Sequence, residues 1–181
     1  VEPFRPRVSI KSETGETLLD WEVTALELRH DTNFRDSNTG DMIDAAYIFY
    51  FRTDKTEDNF GIDGPIGTPM FRLPDAYVGR DNFDLTEDTE CKWAFNFNNS
   101  NLSRYSTGYG CNNSWMKQCP NEATLTVKKN DKEWEFTFTM LDYGMFGYTE
   151  QGTKNVLTIE WKGPATKYTG SQKNDMTDAD Y

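Results

Sequence analysis

Hydrophobic and polar residues alternate most regularly between positions 123 and 140. The apolar members of this run are Ala123, Leu125, Val127, Trp134, Phe136, Phe138 and Met140. Alternation of this kind places one set of side chains on the buried face of a strand and the other set in water. The residues between the two halves lack glycine, but Asn130 or Asp131 can adopt the left-handed conformation of a tight reversal. The pattern predicts a β-hairpin.

Shorter apolar runs predict further strands. These runs cover residues 8–11, 44–52, 70–73, 90–97 and 155–161. We expect Gly163-Pro164 to end the last of them, because both residues disfavour a continuous strand. Residues 18–30 are ambiguous, since their apolar positions fit either one helix face or strands with a phase slip after Val23. We favour strand.

The fold class follows from these runs, because no helical stripe is equally clear. About seven strands separated by long loops predict an all-β fold, either an antiparallel β-sandwich or a jelly roll, with a β-barrel as the alternative. Residues 1–7 should form an extended segment, residues 8–165 a single domain and residues 166–181 a polar tail that frays after position 170. The predicted core consists of Tyr47, Phe49, Phe51, Trp93, Phe95, Leu125, Val127, Trp134, Phe136, Phe138, Leu157, Ile159 and Trp161.

Composition and charge narrow the classes of partner. The chain of 181 residues is only 36% hydrophobic, but its 12 Phe, 9 Tyr and 5 Trp provide enough large side chains for one core. Its 19 basic and 30 acidic residues give a net charge of −11, which disfavours nucleic acid as a partner. No run approaches the ~20 apolar residues of a membrane span. The chain opens at Val1 without an initiator Met, which is consistent with a removed leader.

The three cysteines, Cys91, Cys111 and Cys119, match no zinc-binding pattern. They are either three thiols of a cytosolic protein or one disulfide and one free thiol in an oxidising compartment. We favour a disulfide, because Cys111 and Cys119 bracket a polar loop that nothing else holds together. Cys111–Cys119 is the preferred pairing and Cys91–Cys119 the second choice.

Groups that would support catalysis are few. His30 is the only histidine, and the chain has neither a Gly-x-Ser-x-Gly elbow nor a phosphate-binding glycine motif. Two of the many carboxylates could act as in glycoside hydrolases, but spacing along β-strands does not show which two would meet. A non-catalytic protein is therefore favoured.

Residues 36–41 form a weak candidate for a calcium site. Asp36, Asn38 and Asp41 offer hard oxygen ligands around a glycine. The segment lacks a downstream bidentate Glu, and this composition is also that of a plain turn. We favour the turn, so no cofactor is expected and calcium remains the alternative.

The segment 98–119 has the composition of a recognition surface. Tyr105, Tyr109 and Trp115 can supply flat contact area, while Arg104 and Asn101 can supply hydrogen bonds. A flat ring against a pyranose face, with polar groups at the sugar's edge, is what glycan binding requires. The alternative is that the three rings fold back into a small satellite core. These five residues are the predicted ligand-binding site.

Residues 8–20, Val-Ser-Ile-Lys-Ser-Glu-Thr-Gly-Glu-Thr-Leu-Leu-Asp, resemble the first strand and acidic turn of small cell-envelope lipoproteins of Bacteroidetes. The hairpin and residues 157–163 are similar to strands of those lipoproteins in their pattern of residue types. The lipid-carrying cysteine of that family is not in this sequence, so an anchor would lie upstream of Val1. The resemblance implies a β-sandwich at the cell surface or in the periplasm, linked with glycan capture or surface assembly.

The leading functional hypothesis is thus a non-catalytic extracytoplasmic binding module, with a glycan as its expected ligand. The alternative is a structural or assembly protein that contacts another protein at the cell surface. A carboxylate-dependent glycoside hydrolase ranks third.

Overall fold

The computed structural model describes residues 3–35, 40–42, 44–57, 60–61, 64–65, 67–87, 92–98, 106–110, 122–142 and 154–181. For residues 60–61, 64–65, 98, 106–110 and 142 the backbone alone is described. This part of the chain contains β-strands and three short 3₁₀ turns, with no α-helix among its residues.

The described residues form twelve strands. They are β1 (Arg7–Lys11), β2 (Thr17–Asp31), β3 (Ala46–Thr53), β4 (Phe60–Gly61), β5 (Gly64–Pro65), β6 (Met70–Pro74), β7 (Arg80–Asp84), β8 (Ala94–Asn98), β9 (Ser106–Gly110), β10 (Ala123–Asn130), β11 (Glu133–Asp142) and β12 (Asn155–Lys167). The 3₁₀ turns are Asp75–Tyr77, Leu85–Glu87 and Asp178–Asp180. Every predicted strand is present. The strands that the sequence pattern missed are the two-residue β4 and β5 and the polar β7 and β9, which lack apolar alternation.

Ten strands are hydrogen-bonded in the order β7-β10-β11-β12-β1-β2-β3-β6-β8-β9, and β4 pairs with β5 separately. The strand β2 belongs to two layers, since its first part pairs with β1 and its second part with β3. The edge strands β7 and β9 do not pair with each other, so the sheet is not closed into a barrel. The predicted all-β fold, an antiparallel sandwich, is confirmed.

The strand β2 passes between the layers at a β-bulge. Its register with β3 shifts between Val23 and Ala25, where the sequence pattern predicts a phase slip. The shift allows Val23 and Leu26, three positions apart, both to be buried. Beyond this point β1 has ended, and β2 pairs directly with β12 in parallel orientation, with Ala165 beside Leu26.

Aromatic rings from both layers fill the space between them. The facing rings are 4.7 to 5.3 Å apart between centroids. They are Phe49 and Phe51 on β3 and Phe71 on β6 on one side, and Phe136 and Phe138 on β11 on the other. The predicted core residues are buried except Tyr47, which is half-buried and packs against the core. The core prediction is confirmed. It was possible because large apolar side chains at alternate positions of a strand must share one face.

The predicted hairpin is also confirmed. The strands β10 and β11 pair without a break from Ala123 opposite Met140 to Asn130 opposite Glu133. Of the two candidates for the left-handed position, Asp131 adopts it, with φ 56°.

The prediction that Gly163-Pro164 ends the last strand is wrong, because β12 continues to Lys167. Pro164 lies opposite Glu133, the first residue of β11, where β12 leaves that neighbour and turns towards β2. A proline, which has no N–H to donate, is tolerated where a ladder ends. The pair therefore marks the change of partner rather than the end of the strand.

The C-terminal segment, residues 168–181, lies along the end of β2, whereas the sequence predicts fraying after position 170. The backbone N–H of Asp175 donates to the carbonyl of His30 at 2.8 Å, and the Tyr181 hydroxyl donates to the carbonyl of Leu28 at 2.7 Å. Hydrogen bonds of this kind leave no alternating apolar pattern in the sequence. The docking of residues 168–181 on β2 could therefore not be predicted.

Candidate functional site

A cleft of about 380 Å³ lies beside the 3₁₀ turn that connects β6 to β7. Its walls come from the chain before β3, from the turn and β7, and from the chain before β8. The residues that line it are Asp44, Pro74, Ala76, Tyr77, Arg80, Phe83, Glu87 and Lys92.

A glycine sets the path of the chain into this cleft. Gly79 has a φ of 105°, a conformation that side chains with a Cβ rarely adopt. Its N–H donates to the carbonyl of Val127 at 2.7 Å, which ties the end of the turn to β10. The next residue, Arg80, therefore begins β7 at a fixed place on the cleft wall.

A bulge in β7 brings two cleft residues to the same side. Arg80 lies opposite Val127 and Phe83 lies opposite Leu125, so three residue steps of β7 match two of β10. Asn82 takes up the irregularity with a φ of 49°. In a regular strand, residues three apart point to opposite faces. The bulge is thus what allows the side chains of Arg80 and Phe83 to meet.

Hydrogen bonds from β10 hold this bulge. The Thr126 hydroxyl donates to the Asp81 carboxylate at 3.1 Å and accepts the N–H of Asn82 at 3.0 Å. The Lys128 ammonium donates to the same carboxylate at 2.9 Å. The bonds from Lys128 and Thr126 lower the pKa of Asp81 below its ordinary value. Asp81 is consequently an anion that fixes the backbone next to the cleft.

The Arg80 guanidinium lies against two aromatic rings. Its Cζ is 4.2 Å from the ring centroid of Tyr77 and 4.1 Å from that of Phe83. The two rings meet edge to face at 5.6 Å, with Tyr77 buried and Phe83 half-buried. Both distances are well inside the ~6 Å limit of cation–π attraction. The stack presents a flat, positively charged group on the wall of the cleft.

Charges of both signs face the cleft. The Lys92 ammonium lies 3.1 Å from the Asp44 carboxylate, in a pair whose side chains are 42% and 53% exposed. Glu87 is exposed at the end of the 3₁₀ turn that follows β7. Arg80 and Lys92 thus balance Asp44 and Glu87, which suits a polar ligand better than an apolar one.

A histidine–aspartate pair lies on the other side of the turn. The Nε2 atom of His30 is 2.8 and 3.0 Å from the two carboxylate oxygens of Asp75, and its ring stacks on Tyr47 at 4.2 Å. Burial, together with the carboxylates of Asp75 and Asp180, raises the pKa of Tyr47. In the described part of the chain the hydrogen bonds of the His30 ring go to Asp75 alone. The pair joins β2 to the turn.

The predicted recognition residues fall almost entirely outside the described ranges. Asn101, Arg104, Tyr105 and Trp115 lie there, and Tyr109 is described only by its backbone, which pairs with Phe95. The predicted site therefore stays a prediction.

The same holds for the disulfide and for part of the calcium site. Cys91, Cys111 and Cys119 lie outside the described residues, as do Asp36 and Asn38. The third candidate ligand, the aspartate at position 41, is described and is exposed.

Two kinds of feature are absent from the described residues, a cluster of metal ligands and a membrane-spanning helix. Across these ranges no group of three or more His, Cys, Asp or Glu side chains is arranged to hold a metal ion. Nor does any helix in them have the length and apolar character needed to cross a membrane.

The residues of the cleft were not predicted from the sequence. Tyr77, Arg80 and Phe83 lie within seven positions around a glycine, and this clustering of rings with a cation was the available indication. The acidic residues that follow made the region resemble a solvated loop, so its aromatic side chains were not singled out.

Comparison with protein-family models, with curated proteins and with solved structures finds no match for this chain.

Proposed function

We propose that this protein is a non-catalytic, extracytoplasmic binding module whose ligand is a glycan bound in the cleft beside the turn. The contact of the Arg80 guanidinium with the neighbouring rings of Tyr77 and Phe83 is the observation that carries the proposal. A cleft with aromatic and charged groups held in place before a ligand arrives loses little conformational entropy on binding.

The size and chemistry of the cleft support a sugar as ligand. Its volume of about 380 Å³ lies in the range of ~300–1,000 Å³ found for small-molecule sites. Phe83 is half-buried and can offer apolar contact to a sugar ring. Asp44 and Glu87 can accept hydrogen bonds from sugar hydroxyls, and Arg80 can donate them.

The surroundings of His30 support the absence of catalysis. Its Nε2 atom is bonded to Asp75, and its ring packs on Tyr47. Nucleophilic catalysis would require a hydroxyl or thiol within hydrogen-bonding reach of this ring. Among the described residues the imidazole ring contacts Asp75 and Tyr47, neither of which is a nucleophile held for catalysis, and this supports a structural role for the pair.

The proposed location at the cell surface or in the periplasm rests on the sequence. The resemblance of residues 8–20 to envelope lipoproteins supports it, and a lipid anchor upstream of Val1 belongs to the same proposal. The net charge of −11 favours an uncharged or locally recognised ligand over nucleic acid.

A glycan array tests the proposal most directly. The wild type should bind a subset of glycans, and Phe83→Ala should lose that binding because it removes half of the aromatic stack. Phe4→Ala is the matched control, since Phe4 is 54% exposed and does not line the cleft. Trp115→Ala should be included, because this ring belongs to the site predicted from sequence.

The array outcomes separate the hypotheses. Loss of binding in Phe83→Ala but not in Phe4→Ala supports the cleft. Loss in Trp115→Ala alone would keep the glycan but contradict the cleft as its site. No binding by the wild type to any glycan would overturn the proposal and favour an assembly protein that contacts another protein.

A further inference from the structure

We propose that the group recognised in the cleft is a carboxylate, so that the ligand is an acidic glycan containing a hexuronic acid. This inference rests on the proposed function and specifies the class of sugar. It follows from the state of the Arg80 side chain and from the charges around it.

Arg80 has no polar partner among the residues that the structure describes. Within the described ranges its guanidinium makes no hydrogen bond and no ion pair, although the chain has eleven more acidic than basic charges. Five other arginines in these ranges have polar partners: one forms an ion pair with a carboxylate, and four donate to a carboxylate, a hydroxyl or a backbone carbonyl. They are Arg5, Arg7, Arg29, Arg35 and Arg52.

The stacking determines how Arg80 can bind a ligand. A guanidinium donates its N–H groups in its own plane, whereas its faces take part in stacking. The rings of Tyr77 and Phe83 occupy positions about its Cζ at 4.2 and 4.1 Å. These contacts place the guanidinium against the two rings, and no described residue accepts a hydrogen bond from it. Two parallel N–H donors held in this way match the two oxygens of a carboxylate.

The neighbouring charges favour a single carboxylate attached to a neutral, hydroxylated body. Lys92 supplies a second positive charge, held by an exposed pair with Asp44 that contributes little energy of its own. Asp44 and Glu87 would repel a ligand with several negative charges. The same two carboxylates can accept hydrogen bonds from hydroxyls. A hexuronic acid combines one carboxylate with several hydroxyls on one ring.

The test compares two forms of one ligand by calorimetry. The probes are the methyl glycoside of galacturonic acid, a monosaccharide with one carboxylate, and its methyl ester, which keeps the sugar and removes the negative charge. The wild type should bind the acid at least about tenfold more tightly than the ester, because charge-assisted hydrogen bonds are the stronger kind. Added salt should weaken binding of the acid and leave binding of the ester unchanged.

Variants then assign the effect to Arg80. Arg80→Gln should weaken binding of the acid about tenfold and leave binding of the ester unchanged, while Arg80→Lys should retain part of the affinity. Arg7→Gln is the matched control, because Arg7 lies on β1 and does not line the cleft. An unfolding curve for each variant shows that the fold is intact.

The outcomes distinguish this inference from the proposed function. Equal binding of acid and ester, or an Arg80→Gln variant that binds the acid like the wild type, would overturn the carboxylate and leave a glycan-binding protein. Preference for a sulfated methyl galactoside over the acid would likewise overturn it. Absence of all glycan binding on the array would instead remove the proposed function itself.

Discussion

Two arginines of this protein lie against tyrosine rings, and their surroundings differ. Arg29 is buried: its Nε donates to the Tyr50 hydroxyl at 3.0 Å, its Nη1 donates to the Lys173 carbonyl at 3.2 Å, and its Cζ lies 5.6 Å from the Tyr168 ring. Arg80 is half-buried and closer to its rings, at 4.1 and 4.2 Å, but no polar group of the described chain accepts its N–H donors.

The difference separates a structural role from a binding role. Arg29 connects β2, β3 and the C-terminal segment through groups that are all part of the protein, so replacing it removes the hydrogen bonds that join these three elements, one of them to the buried Tyr50. The guanidinium of Arg80 contacts two rings of the protein, but its N–H donors have no acceptor among the described residues. The contrast indicates that the fold depends on Arg29, and it leaves the N–H donors of Arg80 to the ligand that we propose.

The largest expected effect contrasts the core with the cleft. Phe136 is fully buried against the rings of Phe49, Phe51 and Phe71, so Phe136→Ala should lower the free energy of unfolding by ~3–5 kcal/mol. Phe83→Ala should lower it by no more than ~1–2 kcal/mol, because that ring is half-buried. Urea unfolding of both variants measures the difference. Equal losses would show that the cleft wall is part of the core.

The next effect concerns Arg29 itself. Arg29→Met keeps most of the apolar volume but removes the donors to Tyr50 and to the carbonyl of Lys173. We expect a loss of ~2–4 kcal/mol in the free energy of unfolding, since buried groups lose their partners. Limited proteolysis should also show earlier cleavage after position 168. A variant as stable as the wild type would contradict the structural role of Arg29.

Alkaline pH should destabilise the hydrogen-bonded pair of Arg29 and Tyr50 without a mutation. Burial raises the pKa of Tyr50 from 10.0 to about 12, although Arg29 acts in the opposite direction. A raised pKa in the folded state means that this stabilisation is complete below pH 10.0 and is lost as the pH rises towards 12. The loss from this group amounts to roughly 2–3 kcal/mol at most.

Unfolding curves below pH 10.0 and near pH 12 test this expectation. Tyr50→Phe is the control, because it has no proton to lose at this position and should show a smaller decline across the interval. A decline equal to that of the wild type would mean that other groups, such as lysines, cause the whole effect.

The sequence predicted the core well because burial in a sandwich is encoded by alternating apolar residues. The phase slip after Val23 even located the bulge by which β2 changes layers. The prediction failed where the structure depends on backbone hydrogen bonding and not on the burial of apolar side chains. Gly163-Pro164 indicated the end of a strand, whereas it marks a change of hydrogen-bonding partner within β12.

The cleft could not be predicted for a different reason. Its lining residues come from three separate parts of the sequence, and the register of β7 on β10 decides which of them meet. The contact between Arg80 and Phe83 further depends on a bulge that Thr126 holds from a neighbouring strand. Neither a strand pairing nor a bulge of this kind leaves a periodic pattern in one sequence.

The most direct measurement of the central claim is the free energy of unfolding of Arg80→Met. If Arg80 is held by the fold but not required by it, the variant should lose no more than ~1 kcal/mol, which is what exposed cation–π contacts contribute. Its urea transition should then lie close to that of the wild type and well apart from that of Arg29→Met. A loss as large as that of Arg29→Met would show that Arg80 is a structural residue and would contradict the account.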